Sequence, residues 1–474
     1  MKKTRTRFAP SPTGFMHLGN LRTAIIGYVI AKHDNGDFIL RVEDTDQVRK
    51  VDGAIDFIYD TLKICDIKID EGPNNEGAYG PYIQSERKEI YLDYAKKLVE
   101  NGNAYYCFCS EERLNDLREK ANNEKRPFMY DGHCQKLSKD EIEEKLNNNE
   151  PYVIRQKMPK TGETLVEDIV YGKISIDNST LEDQILIKSD GFPTYNFANV
   201  IDDHLMEISH VIRGKEYLSQ SAKYNLLYDA FNWERPDYIH VPMVLGEDGT
   251  KLSKRNGDAS FMDLYNDGYL PGAIINYLIL LGWSPKTNTE VFSMEELIEN
   301  FDMTRINKDA AQYDKKKLNW FNSIYIKQLD DTEYLNWIKK YLKHDISNRE
   351  ESWINKLLLI YKDHLSYGEQ INELTNNFFN EEYHLDDECT SFMNSDEIIP
   401  QVIDSFKKQI ENITSWEVEE IKQCINNVKN EVGAKGKLLF MPIRIKTSGL
   451  MHGSELADTI YLIGKDKILE RLSN

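Results

Sequence analysis

Cysteine is scarce in this sequence: six occur in 474 residues, too few for a disulfide framework in a chain of this length. Long apolar runs are missing as well. The longest, residues 270–283, is broken by Pro271, Gly272 and Asn276 and falls short of the roughly 20 apolar residues that cross a bilayer. The opening stretch MKKTRTRFAPSPTG carries charge but not the apolar run of a secretory signal. A cytoplasmic protein with reduced thiols and no membrane contact is therefore expected. Positive charge is also in short supply, with 59 Lys and Arg against 79 Asp and Glu and a net charge of −20. Nucleic-acid phosphates are bound by Lys and Arg that displace counterions, so this chain is not one that nucleic acid coats. A local basic face could still grip a structured RNA. No internal repeat is visible, and no low-complexity linker exceeds the asparagine turn at residues 147–149.

What is present fits several domains, since one core does not grow to this length. The first hundred residues alternate strand and helix as a doubly wound parallel sheet does. Strands are expected at 5–9 and 38–42, and helices at 20–32, 53–64 and 85–101, the last stopped by Gly102. Leu21, Ala24, Ile25, Tyr28 and Val29 give the first helix its apolar face. From Ala104 the pattern breaks into a cysteine-bearing segment, a charged helix at 139–149 and β-rich runs at 152–157 and 185–188, which read as an insertion. Parallel strands are expected to resume at 197–201, 210–213 and 239–245, with helix almost throughout after Phe261. Thr414 and Glu417 have the spacing of a capping box ahead of the apolar face of Ile421, Ile425 and Val428.

Two short motifs carry chemistry. The loop between the first strand and helix holds Pro10, Pro12 and Gly14, with His17, Gly19 and Asn20 at the helix start. In an α/β sheet that place presents backbone N–H groups and the helix dipole to an anion. Lys251-Leu-Ser253-Lys254-Arg255 follows a glycine turn and gathers three cations in five residues. Taken singly, the first is most often a tight connection and the second a solvated basic loop.

In this order, more than two hundred residues apart, they resemble the two ATP-binding signatures of class I aminoacyl-tRNA synthetases, His-x-Gly-His with Asn20 in the last place and Lys-Met-Ser-Lys-Ser. The likeness narrows to the bacterial glutamyl family along nearly the whole chain. Its segments are resembled by Thr6-Arg-Phe-Ala-Pro-Ser-Pro-Thr-Gly14, Arg41-Val-Glu-Asp-Thr-Asp46, Gly80-Pro-Tyr-Ile-Gln-Ser-Glu-Arg87, Ser189 to Asn199 and Val211-Ile-Arg-Gly-Lys-Glu216. Gly214-Lys215 departs from the Glu or Ala-Glu of many members. The resemblance implies an α/β, Rossmann-type parallel-sheet catalytic domain in two halves (1–103 and 197–248) around an inserted acceptor-end-binding domain (104–196). A stem-contact region with the KLSKR loop (249–329) and an all-helical anticodon-binding region (330–474) would follow.

It also implies the reaction: L-glutamate and MgATP give glutamyl-adenylate and pyrophosphate, and the glutamyl group passes to the 3′ end of tRNA(Glu), with tRNA(Gln) left open as a second acceptor. A monomer is expected. His17, Lys251 and Lys254 would be catalytic. Pro10, Gly14, His17, Gly19, Asn20, Glu216, Lys251, Ser253, Lys254 and Arg255 would bind ATP. Arg7, Ala9, Ser11, Glu43, Tyr195, Asn199 and Arg213 would bind glutamate, a carboxylate suiting the ammonium and two arginines the two carboxylates. Cys107, Cys109 and Cys134 resemble the zinc site of some members. Four ligands are needed, Lys136 stands where such members carry His, and Tyr130 or His133 could be the fourth; free cysteines are the alternative. The run from Lys435 to Lys446 is basic and suits RNA phosphates. A glutaminyl enzyme, a truncated tRNA-modifying enzyme, an adenylyltransferase without RNA and a catalytically silent paralogue fit less well. The first two lack the helical carboxy-terminal part, the third should be shorter, and the last should have lost His17, Glu43 or Lys254.

Overall fold

The computed structural model describes residues 3–12, 16–47, 51–250, 252, 260–380 and 383–473. It begins with β1 (Arg5–Phe8), buried at all four positions as parallel strands covered on both faces are. Next come α1 (Leu18–His33), β2 (Asp37–Leu40), α2 (Ala54–Ile64) and α3 (Lys88–Glu100). β1 and β2 pair in parallel from Arg5 opposite Asp37 to Phe8 opposite Leu40. The return from α1 into β2 needs glycine at position 36, because a Cβ there would lie 2.1 Å from the Thr4 carbonyl oxygen. Thr6 Oγ1 donates to the Gly27 carbonyl at 2.8 Å and fastens α1 onto the sheet.

The middle of the chain carries β3 (Ala104–Cys107), α4 (Glu111–Asn123), α5 (Lys139–Asn147), β4 (Val153–Gln156), β5 (Glu163–Asp168), β6 (Gly172–Asp177) and β7 (Ile185–Ile187). β3, β4 and β7 form an antiparallel sheet of their own. The β5–β6 hairpin does not join it. Asp168 pairs in parallel with Tyr238 instead, and the Ile169 N–H donates to the Tyr238 carbonyl at 2.9 Å, so the hairpin extends the catalytic sheet.

The chain then returns through α6 (Tyr195–Leu205), β8 (His210–Gly214), α7 (Ser221–Phe231), β9 (Asp237–Val241) and β10 (Val244–Leu245). β8 and β9 pair in parallel, and the Ser209 N–H donates to the Arg5 carbonyl at 2.9 Å, tying the start of β8 to β1. The strand expected at 197–201 is thus part of α6. The run Phe197-Ala-Asn-Val-Ile reads as a strand because it is almost wholly apolar, and five residues are too few to show that Asn196, Asn199, Asp202 and Asp203 recur at helical spacing. Its apolar residues join Tyr91, Leu98, Ile154, Leu186 and Leu227 in one core. Residues 311–312, expected as helix, form β11 (Ala311–Gln312), parallel to β10.

Met1–Asp263 with Ile274–Asp314 make one unit, and Leu264–Ala273 with Lys315–Asn474 a second. The second is helical among its described residues and has two cores, one around Tyr334, Leu357 and Phe378 and one around Phe406, Ile421 and Ile460. The helix Val418–Val432 buries Ile421, Ile425 and Val428 as expected, but Thr414 does not cap it. Glu417 stands at its N-cap without a side-chain bond, and Trp416 Nε1 donates to the Tyr461 carbonyl at 3.0 Å, fixing the turn before the helix. No helix among the described residues is long and apolar enough to cross a membrane.

Candidate active site

A cavity of about 350 Å³ opens at the C-terminal ends of β1, β8 and β9, where the N-terminus of α1 faces it, the usual ligand position in such sheets. Backbone bonding past the strand ends shapes one wall. The Arg41 N–H donates to the Phe8 carbonyl and the Glu43 N–H to the Pro10 carbonyl, each at 3.0 Å, so Glu43 arrives beside the proline loop. Pro10, His17, Gly19, Asn20 and Glu216 line the cavity together with Arg7, Ala9, Ser11, Glu43, Tyr195 and Arg213. A Cβ added at Gly19 would meet nothing within 4 Å, which leaves the helix N-terminus open to close approach. Gly14, Lys251, Ser253, Lys254 and Arg255 lie outside the described residues; Leu252, inside the second motif, lines the cavity and bonds through its N–H to the Val244 carbonyl at 3.0 Å.

Asn199 departs from expectation. It does not line the cavity but sits one turn along α6, donating from Nδ2 to the Tyr195 carbonyl at 2.7 Å. Tyr217 and Arg22 do line it and were not singled out from sequence. Tyr217 follows Arg213 by four residues, and the Arg213 guanidinium stands 5.9 Å from its ring and 4.8 Å from that of Tyr224. Arg22 donates to the Leu281 carbonyl at 2.5 Å and to the Pro242 carbonyl, so it fixes the floor of the cavity, and burial lowers its pKa to about 10.

Behind the cavity lies a buried charge network. Arg7 is paired with Asp203 through Nε at 2.9 Å and Nη2 at 3.3 Å. Arg41 reaches Asp203 at 2.7 Å and Glu43 Oε1 at 2.8 Å. Glu43 Oε2 and Arg213 Nε and Nη1 are buried without hydrogen-bond partners. Burial pushes the Glu43 carboxyl above its ordinary value, against the pull of Arg41 and Arg7. Burial likewise opposes the charge on Arg213, but its surroundings raise its pKa, so it stays a cation. Orphaned buried polar atoms cost free energy unless something answers them. Here Glu43 and Arg213, each with buried polar atoms that no protein group answers, a carboxylate oxygen and two guanidinium nitrogens, line one cavity, a match for a ligand carrying both an ammonium and a carboxylate.

A second cluster lies in the middle segment. The sulfurs of Cys107, Cys109 and Cys134 all lie within 4.8 Å of one another, with Cys109 to Cys134 at 3.5 Å. Tyr130 Oη is 3.4 Å from Cys107 Sγ and 3.3 Å from Cys109 Sγ. A tetrahedral zinc with bonds of about 2.3 Å to sulfur and 2.0 Å to oxygen sets sulfurs roughly 3.8 Å apart and sulfur from oxygen roughly 3.5 Å, so the four donors fit one. Hydrogen bonding from Cys134 and Tyr130 lowers the Cys107 pKa and favours its thiolate, while burial and the same bonds raise Cys134 and Tyr130, so the protein groups alone stabilise one anion in the cluster. Arg113 Nη1 lies 3.5 Å from Cys109 Sγ and the Arg155 guanidinium 4.3 Å from the Tyr130 ring, placing positive charge around the sulfurs. In the helical unit the basic run is carried by the helix Lys437–Ser448, where Phe440 is half-exposed.

Comparison with known proteins agrees with this geometry. Residues 3–320 match the catalytic domain of tRNA synthetases class I (E and Q), and residues 332–474 match an anticodon binding domain. A glutamate–tRNA ligase of Clostridium kluyveri is 50% identical over 100% of this chain and 97% of its own length; that of Clostridium acetobutylicum is 49% identical over 99% and 97%. Among solved structures, a glutamate tRNA ligase from Elizabethkingia meningosepticum in complex with its amino acid has a TM-score of 0.89 at 34% identity, covering 99% of this chain and 98% of its own. The glutamate–tRNA synthetase of Elizabethkingia anophelis gives 0.90 at 33%, over 99% of each chain. The chain belongs to the class I tRNA synthetases of the E and Q group.

Proposed function

We propose that this chain is a glutamate–tRNA ligase that activates L-glutamate with MgATP and transfers it to the 3′ end of tRNA(Glu). The observation that carries the reading is the pairing of bare polar atoms in one cavity, Glu43 Oε2 and Arg213 Nε and Nη1. They answer the ammonium and a carboxylate of an amino acid with an acidic side chain. Full-length identity of 50% to a glutamate–tRNA ligase supports the same choice.

The α-carboxylate of glutamate attacks the α-phosphorus of ATP, and pyrophosphate leaves with the electrons of the broken P–O bond. A terminal ribose hydroxyl of tRNA then attacks the mixed anhydride, gives up its proton, and AMP departs. The charge that builds on the phosphate oxygens in the first step is met by His17 and the Gly19 backbone at the N-terminus of α1. Lys251 and Lys254 meet the departing pyrophosphate. Glu43 and Arg213 hold the amino acid, with Arg7, Ala9, Ser11 and Tyr195 around it. Cys107, Cys109, Cys134 and Tyr130 hold a structural zinc that ties the middle segment together. The protein works as a cytoplasmic monomer, and the basic helix Lys437–Ser448 meets RNA phosphates.

Aminoacylation assays with purified tRNA(Glu) and tRNA(Gln), each with glutamate and with glutamine, test the reading. Glutamate is expected on tRNA(Glu). Charging of tRNA(Gln) with glutamate would add a second acceptor, and charging with glutamine alone would refute the assignment.

A further inference from the structure

Tyr195, Asn199 and Asp203 stand four residues apart on α6 and so share a face of that helix. Asp203 is the member nearest the arginines. Its Oδ1 accepts from Arg7 Nε at 2.9 Å and from Arg41 Nη1 at 2.7 Å. Its Oδ2 accepts from Arg7 Nη2 at 3.3 Å and lies 3.9 Å from Arg213 Nη2. Arg41 passes the constraint on, holding Glu43 Oε1 at 2.8 Å. Asp203 therefore fixes Arg7 directly and Glu43 at one remove, through Arg41, while Arg213 stands beside it without a hydrogen bond. Neighbouring Asp202 makes its hydrogen bonds to another set, Arg87 Nε at 2.7 Å, Tyr91 Oη at 2.7 Å and Gln84 Nε2 at 2.9 Å; it lies 3.8 Å from Arg41 Nε, and its charge is balanced by Arg87.

We propose that Asp203 is the positioning residue of the amino-acid pocket, orienting Arg7 and Arg41 through hydrogen bonds and, with Arg213 beside it, setting the net charge of the three to match glutamate. The inference rests on the glutamate reading above. Three guanidiniums face two carboxylates, those of Asp203 and Glu43, which leaves one positive unit. Glutamate, with two carboxylates and one ammonium, brings one negative unit. Burial opposes an ionised Asp203, but Arg7 and Arg41 outweigh it and hold its carboxyl at about 2. Without that charge the pocket holds two positive units, and an amide NH₂ at the same place turns hydrogens towards the guanidinium donors, leaving Arg7 with no carboxylate and only the Ile212 carbonyl as acceptor.

Steady-state aminoacylation of tRNA(Glu) by the full-length wild type, Asp203→Asn and Asp202→Asn, with glutamate and ATP varied in turn, tests this. Loss of a charged hydrogen bond of about 1.5–3 kcal/mol corresponds to roughly ten- to a hundredfold. Asp203→Asn is expected to raise the glutamate KM by at least about tenfold while the ATP KM moves less than about threefold. Asp202→Asn is expected to lower the melting temperature with the glutamate KM near wild type. A parallel rise in both KM values, or the same KM pattern in both variants, would overturn the proposal. If Asp203→Asn does not fold, Asp203→Ser takes its place with the same expectation. Failure of both to fold would make Asp203 a purely structural ion-pair residue and refute the inference. A wild type that does not charge glutamate would remove the parent reading, a result distinct from any of these.

Discussion

Arg41 holds one oxygen of Glu43 and leaves the other bare: Nη2 lies 2.8 Å from Oε1, while Oε2 is buried without a hydrogen-bond partner. The ion pair fixes the carboxylate of a residue that lines the cavity and leaves one oxygen without a protein partner. Glu43→Gln keeps the shape and an acceptor but removes the charge that an ammonium needs. It is expected to raise the glutamate KM by about ten- to a hundredfold, the worth of one charged hydrogen bond. The KM for ATP should change little. Initial-rate aminoacylation with each substrate varied separately gives the answer, and equal changes in both KM values would show a general loss of structure.

The cysteine cluster makes a prediction that needs no activity. The donor spacing fits a tetrahedral metal, so the purified protein should contain about one zinc per chain. Cys109→Ser should lose it, whereas Tyr130→Phe should keep three sulfurs and hold the metal more weakly. Metal analysis by plasma emission, with melting temperatures before and after chelation, measures both effects. A wild type without metal, even after anaerobic reconstitution with zinc, would leave the cluster as three reduced thiols around a tyrosine.

Asp168 and His240 join the β5–β6 hairpin to β9. Asp168 Oδ2 accepts from the His240 backbone N–H at 3.0 Å and lies 2.7 Å from Nδ1, and both side chains are fully buried. Burial pushes the His240 pKa below its ordinary 6.5 although Asp168 pulls it upward. The ring is therefore neutral, with its proton on Nδ1. Since the folded pKa lies below the unfolded one, the unfolded chain binds more protons as the pH falls. The contribution to stability is whole above about 6.5 and is lost below it. Melting temperature should drop as the pH falls below about 6.5, and less steeply in His240→Asn than in wild type. Asp168→Asn should cost about 1.5–3 kcal/mol at neutral pH, the loss of a charged hydrogen bond in the interior, read from urea unfolding.

Much of the cavity could be read from the sequence because its walls are short motifs with fixed local geometry. The proline loop, the start of α1 and Arg213 each sit within a few residues of a strand end. What escaped reading is set by distance along the chain. Asp202 and Asp203 look like a surface pair inside an apolar run, and only the arrival of Arg7, Arg41 and Arg87 from a hundred or more residues away makes them interior. The same run hid α6, since five mostly apolar residues are too few to show a helical period. The i, i+4 spacing of Tyr195, Asn199 and Asp203, and of Arg213 and Tyr217, was available and would have pointed to the helix, to Asp203 and to Tyr217, though not to Arg22. The attachment of the hairpin to β9 was not available, because a single bridge between Asp168 and Tyr238 leaves no pattern in either segment.

Arg213 bears on how glutamate is told from glutamine, which differ by an amide in place of an oxygen and cannot be sorted by size. Its guanidinium is fully ringed by burial, lies 4.8 Å over the Tyr224 ring, and stands 3.9 Å from Asp203, too far for a hydrogen bond. Nε and Nη1 have no partner, whereas Arg7 is already bound to Asp203 and to the Ile212 carbonyl at 3.2 Å. Arg213 thus has two guanidinium nitrogens to offer where Arg7 has its own already engaged. A carboxylate accepts them on both oxygens, while the amide of glutamine sets hydrogens against one of them and leaves a buried donor unanswered. A site built on such pairing can reject the mismatched analogue by roughly ten-thousandfold or more. Arg213→Cys removes the donors and one positive unit while keeping a small side chain. It should lower kcat/KM for glutamate by about a hundredfold or more and that for glutamine far less, so the ratio of the two narrows. Steady-state charging of the same tRNA with each amino acid measures that ratio. If both constants fall by the same factor, Arg213 supports the pocket without reading its ligand, and discrimination has to come from Arg7 or Tyr217.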